Sequence, residues 1–120
     1  MLVSHVAGDV LLQTERQAVS KGHGLGDSAG RRALAGHTAT YMVAFVPALA
    51  WICGDRGAAS AIRAGALVAI PHLLIDDGRL VRAWLHHVKG VPEPTPALSI
   101  AVDQSFHVVC LVGAAVMAAR

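Results

Sequence analysis

Charged residues are scarce in this sequence. Asp, Glu, Lys and Arg make up 15% of its 120 residues, against about 25% in ordinary soluble proteins. Hydrophobic residues make up 54%, and the mean hydropathy is +0.52. The net charge is only +2, without a basic cluster, so nothing points to nucleic acid as a partner. The composition predicts a single integral membrane domain over residues 1–120, with the lipid bilayer as its main partner.

Cysteine is also rare, and familiar catalytic motifs are missing. Cys53 and Cys110 are the two cysteines; they lie in separate apolar segments and form no CxxC motif. They therefore indicate no disulfide framework. The sequence has no GxSxG nucleophile motif. The N-terminus lacks the basic region that opens a signal peptide, so the first apolar segment is expected to be retained.

Four apolar segments predict an all-α fold, a four-helix transmembrane bundle. The expected helices cover residues 1–18, 31–53, 58–76 and 97–119. The first is the weakest span, because only residues 2–12 are convincingly apolar and a spanning helix needs about 20 residues. Asp27 or Ser28 is expected to cap the second helix, and Pro71 is a candidate break in the third. Residues 77–90 predict an amphipathic segment on the membrane surface.

The basic residues are distributed unevenly between the predicted loops. The first and third loops together carry seven Lys and Arg residues: Arg16, Lys21, Arg31, Arg32, Arg79, Arg82 and Lys89. The opposite side carries Arg56 and Arg120, and Arg63 lies within the third segment. Because cytoplasmic loops are enriched in Lys and Arg, we expect both of these loops in the cytoplasm and both termini outside.

Histidine and aspartate recur four residues apart within the apolar segments. His5 precedes Asp9, His72 precedes Asp76, and Asp103 precedes His107, whereas His37 stands alone. Positions i and i+4 share one face of a helix. Ionisable groups in spanning segments are costly and usually functional, and His nitrogen with Asp oxygen suits Zn²⁺, Mn²⁺ or Fe²⁺. The predicted metal ligands are His5, Asp9, His37, His72, Asp76, Asp103 and His107.

The number of ligands favours one or two divalent ions. Seven candidates exceed the four ligands of a tetrahedral zinc. Two divalent ions, three carboxylates and one hydroxide would together be neutral, as a low-dielectric site favours. Gln13 and Gln104 are expected to hydrogen-bond the ligands, and Tyr41 is expected to pack in the core. The alternative without metal is that His and Asp side chains only hydrogen-bond one helix to another.

The same residues resemble an uncharacterised family of small bacterial integral membrane proteins, known as a domain of unknown function. The family pattern contains H-x-x-G-D-x-x-L-Q, a lysine, a lone histidine, H-x-x-x-D and D-Q-x-x-H. The corresponding positions are 5–13, Lys21, His37, 72–76 and 103–107. The resemblance implies a multi-pass protein of the bacterial cytoplasmic membrane. A more distant likeness to membrane-bound metal-dependent hydrolases implies hydrolysis.

Two classes of function are therefore expected. The first is a metal-dependent hydrolase that acts on a lipid-linked or amphiphilic phosphoester, since metals polarise phosphoryl oxygens and supply hydroxide near neutral pH. The second is a carrier of metal ions or protons that uses the same His and Asp residues. A third is a haem or quinone bundle that uses His pairs, of which haem is disfavoured by the Asp partners. A soluble carboxylate bundle is disfavoured by the long apolar runs and the mean hydropathy. A non-catalytic membrane bundle is the remaining alternative.

Overall fold

The computed structural model describes residues 1–14 and 24–119, and its regular elements in these ranges are all helical. The all-α class is thus confirmed. The α-helices are α1 (Leu2–Val6), α2 (Ser28–Arg56), α3 (Ala58–Asp76), α4 (Arg79–His87) and α5 (Pro96–Ala119). A π-helical stretch, Ala7–Leu11, continues α1, and a 3-10 turn, Gly24–Gly26, precedes α2. The predictions on residues 15–18, Lys21 and Arg120 lie outside the described residues.

Three helices are long and apolar enough to cross a membrane. They are α2 with 29 residues, α3 with 19 and α5 with 24. The first apolar segment, Leu2–Leu11, is shorter and extends about 15 Å, half of the roughly 30 Å of a bilayer core. The described residues therefore contain three candidate spans, and the four-helix transmembrane bundle stays a prediction.

Capping residues explain where the long helices begin. Asp27 caps α2 as predicted, because its Oδ1 accepts a hydrogen bond of 2.6 Å from the Gly30 amide. Thr95 Oγ1 accepts one of 3.3 Å from the Leu98 amide at the start of α5. Between α2 and α3, Gly57 has φ of +84°, a conformation that glycine adopts without a steric penalty. This single residue reverses the chain and makes α2 and α3 an antiparallel hairpin.

Proline does not interrupt α3. The expected break at Pro71 is wrong, since the helix continues through it to Asp76, as α2 continues through Pro47. In apolar helices the freed carbonyl can be satisfied by small adjustments and by neighbouring groups. An unbroken last turn keeps His72 and Asp76 on one helical face, so both side chains can contribute to the same site.

The helices pack so that three termini meet at one end of the bundle. Helix α3 lies against both α2 and α5, around the buried cluster Tyr41, Phe45, Val68, Leu111 and Ala114. The start of α2, the end of α3 and the start of α5 therefore share one end, here called the cluster end. The amphipathic helix α4 folds over this end with Val81 and Leu85 buried.

Glycine lets the N-terminal segment approach α2 closely. A Cβ atom on Gly8 would lie 2.7 Å from Tyr41 Cδ2 and 3.1 Å from Tyr41 Cα, distances that no larger residue could accept without a shift. Met1 packs against the buried core cluster. The close approach of Gly8 to Tyr41 places Asp9, the next residue, beside the first turns of α2.

Candidate metal centre

All seven sequence-predicted ligands lie at the cluster end. The N-terminal segment supplies two, α2 one, and α3 and α5 two each. Six of the seven are buried, and Asp103 is half-buried. The ring centroids of His37 and His72 are 5.1 Å apart, and those of His72 and His107 are 4.8 Å apart. Local helical periodicity and the hairpin topology together bring these side chains into one polar cluster inside an apolar bundle.

The first group of possible ligands consists of Asp9, His37, His72 and Asp76. His37 Nε2 lies 3.2 Å from Asp9 Oδ1 and 3.0 Å from Asp76 Oδ2. His72 Nε2 lies 3.4 Å from Asp76 Oδ2. One donor atom from each residue falls within 4.8 Å of the others. Atoms bound at about 2.1 Å in a tetrahedral zinc site are roughly 3.4 Å apart, so this group could hold a metal ion.

A second group adjoins the first and shares Asp9 with it. Asp9, Asp103 and His107 each offer a donor atom within the same 4.8 Å limit. His107 Nε2 also lies 3.7 Å from Asp76 Oδ1, so the Asp76 carboxylate faces both groups. Two carboxylates thus lie between the histidines of the two groups, an arrangement that could hold two ions side by side.

The orientation of His107 leaves one ring nitrogen available to a metal. Its Nδ1 lies 3.0 Å from the main-chain carbonyl oxygen of Asp103, which can only accept, so Nδ1 carries the proton. In the neutral ring Nε2 is then the unprotonated nitrogen, buried and without a hydrogen-bond partner among the described residues. Histidine ligands commonly donate their other N–H to a carbonyl in this way.

His72 is also buried without a hydrogen bond. Neither of its ring nitrogens has a hydrogen-bond partner within the described part of the chain, although Nε2 faces Asp76. Leaving such a polar group unsatisfied in the interior costs about 1–3 kcal/mol. Its ring stacks on that of Tyr41, with centroids 3.5 Å apart and planes 4° from parallel. The stacking fixes the ring plane while its nitrogens remain open to a ligand.

His5 has a different environment from the other histidines. Its Nδ1 lies 3.0 Å from the Tyr41 hydroxyl and its Nε2 3.0 Å from Gln104 Oε1. Gln104 Nε2 in turn donates to Asp9 Oδ2 at 2.8 Å and to Asp103 Oδ2 at 3.2 Å. Since carboxylates accept, the amide of Gln104 is oriented unambiguously. Its Oε1 accepts from His5 Nε2–H, and His5 Nδ1 accepts from Tyr41.

These contacts form a hydrogen-bonded chain from Tyr41 through His5 and Gln104 to two carboxylates. Both nitrogens of His5 are used in it, and His5 belongs to neither group of possible ligands. Its assignment as a metal ligand therefore stays a prediction. The expected hydrogen bonds of Gln104 are confirmed. Sequence reasoning placed Tyr41 only in the core and missed its hydroxyl contact; its position one turn after His37 was the available signal.

The neighbouring carboxylate of Asp77 is buried but points elsewhere. Its Oδ1 accepts a 2.6 Å hydrogen bond from the Leu25 amide, and its Oδ2 lies 3.2 Å from Arg79 Nε. Asp77 thus ties the turn before α2 to the end of α3. Of two adjacent aspartates, only Asp76 faces the cluster.

A cavity of about 1200 Å³ gives access to the cluster. Its polar lining includes Asp9, Asp76, Asp103 and Gln104. Helix α4 and the connector that follows it also line the cavity, with Arg82 and His86 among their residues. The cluster is therefore approached from its own end of the bundle, beneath the amphipathic helix.

Comparison with known proteins gives a family and no function. No curated protein and no solved structure matches the chain. A family model described as "Protein of unknown function (DUF3307)" matches residues 1–119, which is nearly the whole sequence. The resemblance to an uncharacterised family is thus confirmed, and the chain belongs to the DUF3307 family.

Proposed function

We propose that this chain is an integral membrane protein that binds one or two divalent ions, zinc, manganese or iron, in its His and Asp cluster. One observation carries the proposal: among the described residues the buried Nε2 atoms of His72 and His107 have no hydrogen-bond partner, and they lie 3.4 and 3.7 Å from the Asp76 carboxylate. Carboxylates in a low-dielectric interior need compensating positive charge. Bound cations would supply that charge and use the open nitrogens.

The distribution of apolar side chains supports a bilayer around the bundle. Large hydrophobic residues are exposed along the long helices, including Trp51 at 72%, Ile62 at 72% and Val109 at 68%. Soluble monomers rarely expose such extended apolar surface. With polar groups inside and apolar groups outside, lipid is the solvent that fits. We place the protein in the bacterial cytoplasmic membrane as a four-helix bundle, with the cluster end in the cytoplasm and both termini outside.

Cysteine labelling tests this orientation. In a background with Cys53 and Cys110 replaced by serine, Ser28→Cys and Glu93→Cys mark the cluster end, where both positions are exposed. A membrane-impermeant maleimide should label them only after the cells are opened. Restoring Cys53 alone provides the comparison, since it is exposed near the opposite end of α2. Labelling of Ser28→Cys and Glu93→Cys in intact cells would mean that the cluster end faces the outside.

The most specific function that fits this site is hydrolysis of a lipid-linked or amphiphilic phosphoester. Divalent ions at such sites act as Lewis acids on phosphoryl oxygens and supply hydroxide near neutral pH. The cavity reaches the cluster from one end, whereas Tyr41, Phe45 and Leu111 pack on its other side. A carrier needs access from both sides, so this packing supports an enzyme over the alternative, an ion or proton carrier.

Metal analysis of the detergent-purified protein is the decisive test. We expect bound zinc, manganese or iron in the wild type and a sharply lower metal content in His72→Ala. The matched control His87→Ala should retain its metal, because His87 is exposed on α4 outside the cluster. Hydrolysis of dodecyl p-nitrophenyl phosphate should fall with metal content and return when Mn²⁺ or Zn²⁺ is restored.

Two outcomes would overturn the proposal. A wild type without metal, combined with an Asp76→Asn variant of unchanged stability, would leave only hydrogen bonding between helices. Movement of Mn²⁺ across proteoliposomes without ester turnover would identify a carrier.

A further inference from the structure

Helix α4 lines the cavity that reaches the cluster. Arg82 and His86, one helical turn apart, line the same cavity as Asp9, Asp76 and Asp103. Basic side chains therefore share one cavity with the carboxylates. None of the seven predicted ligands belongs to α4.

The guanidinium of Arg82 lies beside the cavity. It folds back over Gly78, where an added Cβ would lie 2.9 Å from its Nη1. Among the described residues its side chain has no hydrogen bond or ion pair. Arg79, three residues earlier, pairs instead with Asp77 at 3.2 Å. The donors of Arg82 are thus available to a ligand in the cavity.

Charge and shape together indicate which ligand would fit. The planar guanidinium matches phosphate oxygens in a two-point contact, and cations bound by the carboxylates would attract the same anion. Apolar side chains complete the lining, with Val10, Val81 and Ile100 among them. The cavity therefore combines an anion-binding side with walls suited to a hydrocarbon chain.

Resting on the proposed metal site, we infer that Arg82, with His86 beside it, binds the phosphate group of an amphiphilic substrate and so determines specificity. Metal ions held by the cluster would neutralise the charge of this phosphate, and Arg82 contacts it from α4. The apolar walls hold the attached chain. A neutral ester of the same length would lose the Arg82 contact.

Titration calorimetry with butylphosphonate, a soluble analogue whose C–P bond cannot be hydrolysed, tests this assignment. The purified protein is titrated with and without saturating Mn²⁺, and metal content is measured separately. Arg82→Gln should weaken butylphosphonate binding by roughly tenfold or more, as expected for loss of a charge-assisted contact. Arg82→Lys should fall between, because it keeps the charge and loses the planar fork.

Lys89→Gln is the matched control. It removes the same charge just after α4 but does not line the cavity, so its affinity should equal that of the wild type. Equal affinities for Arg82→Gln and Lys89→Gln, or no butylphosphonate binding at all, would overturn the inference. Equal binding of inorganic phosphate and butylphosphonate would overturn the amphiphilic part. Absence of metal in the wild type would refute the proposed function instead. The calorimetric comparison of Arg82→Gln with Lys89→Gln does not require bound metal, so the two failures can be told apart.

Discussion

The two ends of the bundle differ in whether an aspartate side chain is buried or exposed. At the cluster end, the Asp76 side chain is 0% exposed and faces three histidines. At the other end, next to the Gly57 turn, Asp55 is 51% exposed and pairs with Arg56 at 2.7 Å. A smaller cavity of about 500 Å³ at that end is lined mainly by apolar residues. Aspartate is thus an ordinary surface group at one end and a costly buried one at the other.

The comparison separates structural charges from functional ones. An exposed pair such as Asp55 and Arg56 contributes about 0–1 kcal/mol, because water solvates both partners when they part. Removing one partner from a buried pair costs about 3–5 kcal/mol. Such a cost is unnecessary for holding helices together when apolar packing is available. The proposed function therefore rests on the cluster end, and substitutions there can be compared with matched ones at the opposite end.

The largest difference in metal content is expected between the variants Asp76→Asn and Asp55→Asn. Both changes remove one negative charge with little change in shape. Asp76 faces both groups of possible ligands, so its loss should reduce metal binding by more than the roughly 10–100-fold typical of outer hydrogen-bond partners. Asp55→Asn should leave metal content at the wild-type value. Elemental analysis of the purified variants measures both, and equal metal contents would remove the distinction between the two ends.

A second comparison concerns the number of ions. His107 belongs only to the second group, so His107→Ala should lower the content from about two ions per chain to about one. His86 and His87 are both exposed, but only His86 lines the cavity, which makes His87→Ala the suitable control. Loss of all metal from His107→Ala would instead indicate a single ion shared by both groups.

Helical periodicity made much of the cluster predictable. His72 and Asp76 are four residues apart in one helix, as are Asp103 and His107, and such spacing fixes a shared face locally. The order of apolar segments also implied that these faces meet at one end. No local rule, however, determines which nitrogen of a histidine meets which neighbour.

The remaining features depend on tertiary contacts. His5 and Asp9 also have four-residue spacing, but a π-helical stretch begins between them at Ala7, and His5 turns to Tyr41 and Gln104. The place of Arg82 depends on the fold of α4 over the cluster, which requires φ of +75° at Gly78. The four-residue spacing of His5 and Asp9 predicts neither contact. The effect of Pro71 depends on how the neighbouring helices accommodate it, so the sequence alone does not predict whether α3 breaks there.

The hydrogen-bonded chain should give intermediate effects that decrease with distance from the carboxylates. Gln104→Ala removes donors to Asp9 and Asp103 and should weaken metal binding about 10–100-fold. His5→Ala should weaken it less, and Tyr41→Phe least, because the latter keeps the ring stacked on His72. Metal titration of the three variants gives the order. If His5→Ala has the largest effect of the three, His5 is a direct ligand, as the sequence pattern suggested.

The smallest effect is expected at the opposite end. Asp55→Ala removes the partner of Arg56, but the Arg56 side chain still donates a 2.8 Å hydrogen bond to the Ala119 carbonyl. Both charged groups are about half exposed, so the free energy of unfolding should fall by less than about 1 kcal/mol. Added salt should shrink even this difference, since exposed charges are screened within about 10 Å at 0.1 M. Thermal unfolding in a nonionic detergent at low and high salt measures the effect. A large, salt-independent loss of stability would mean that this end also depends on a buried charge, and the contrast between the two ends would no longer hold.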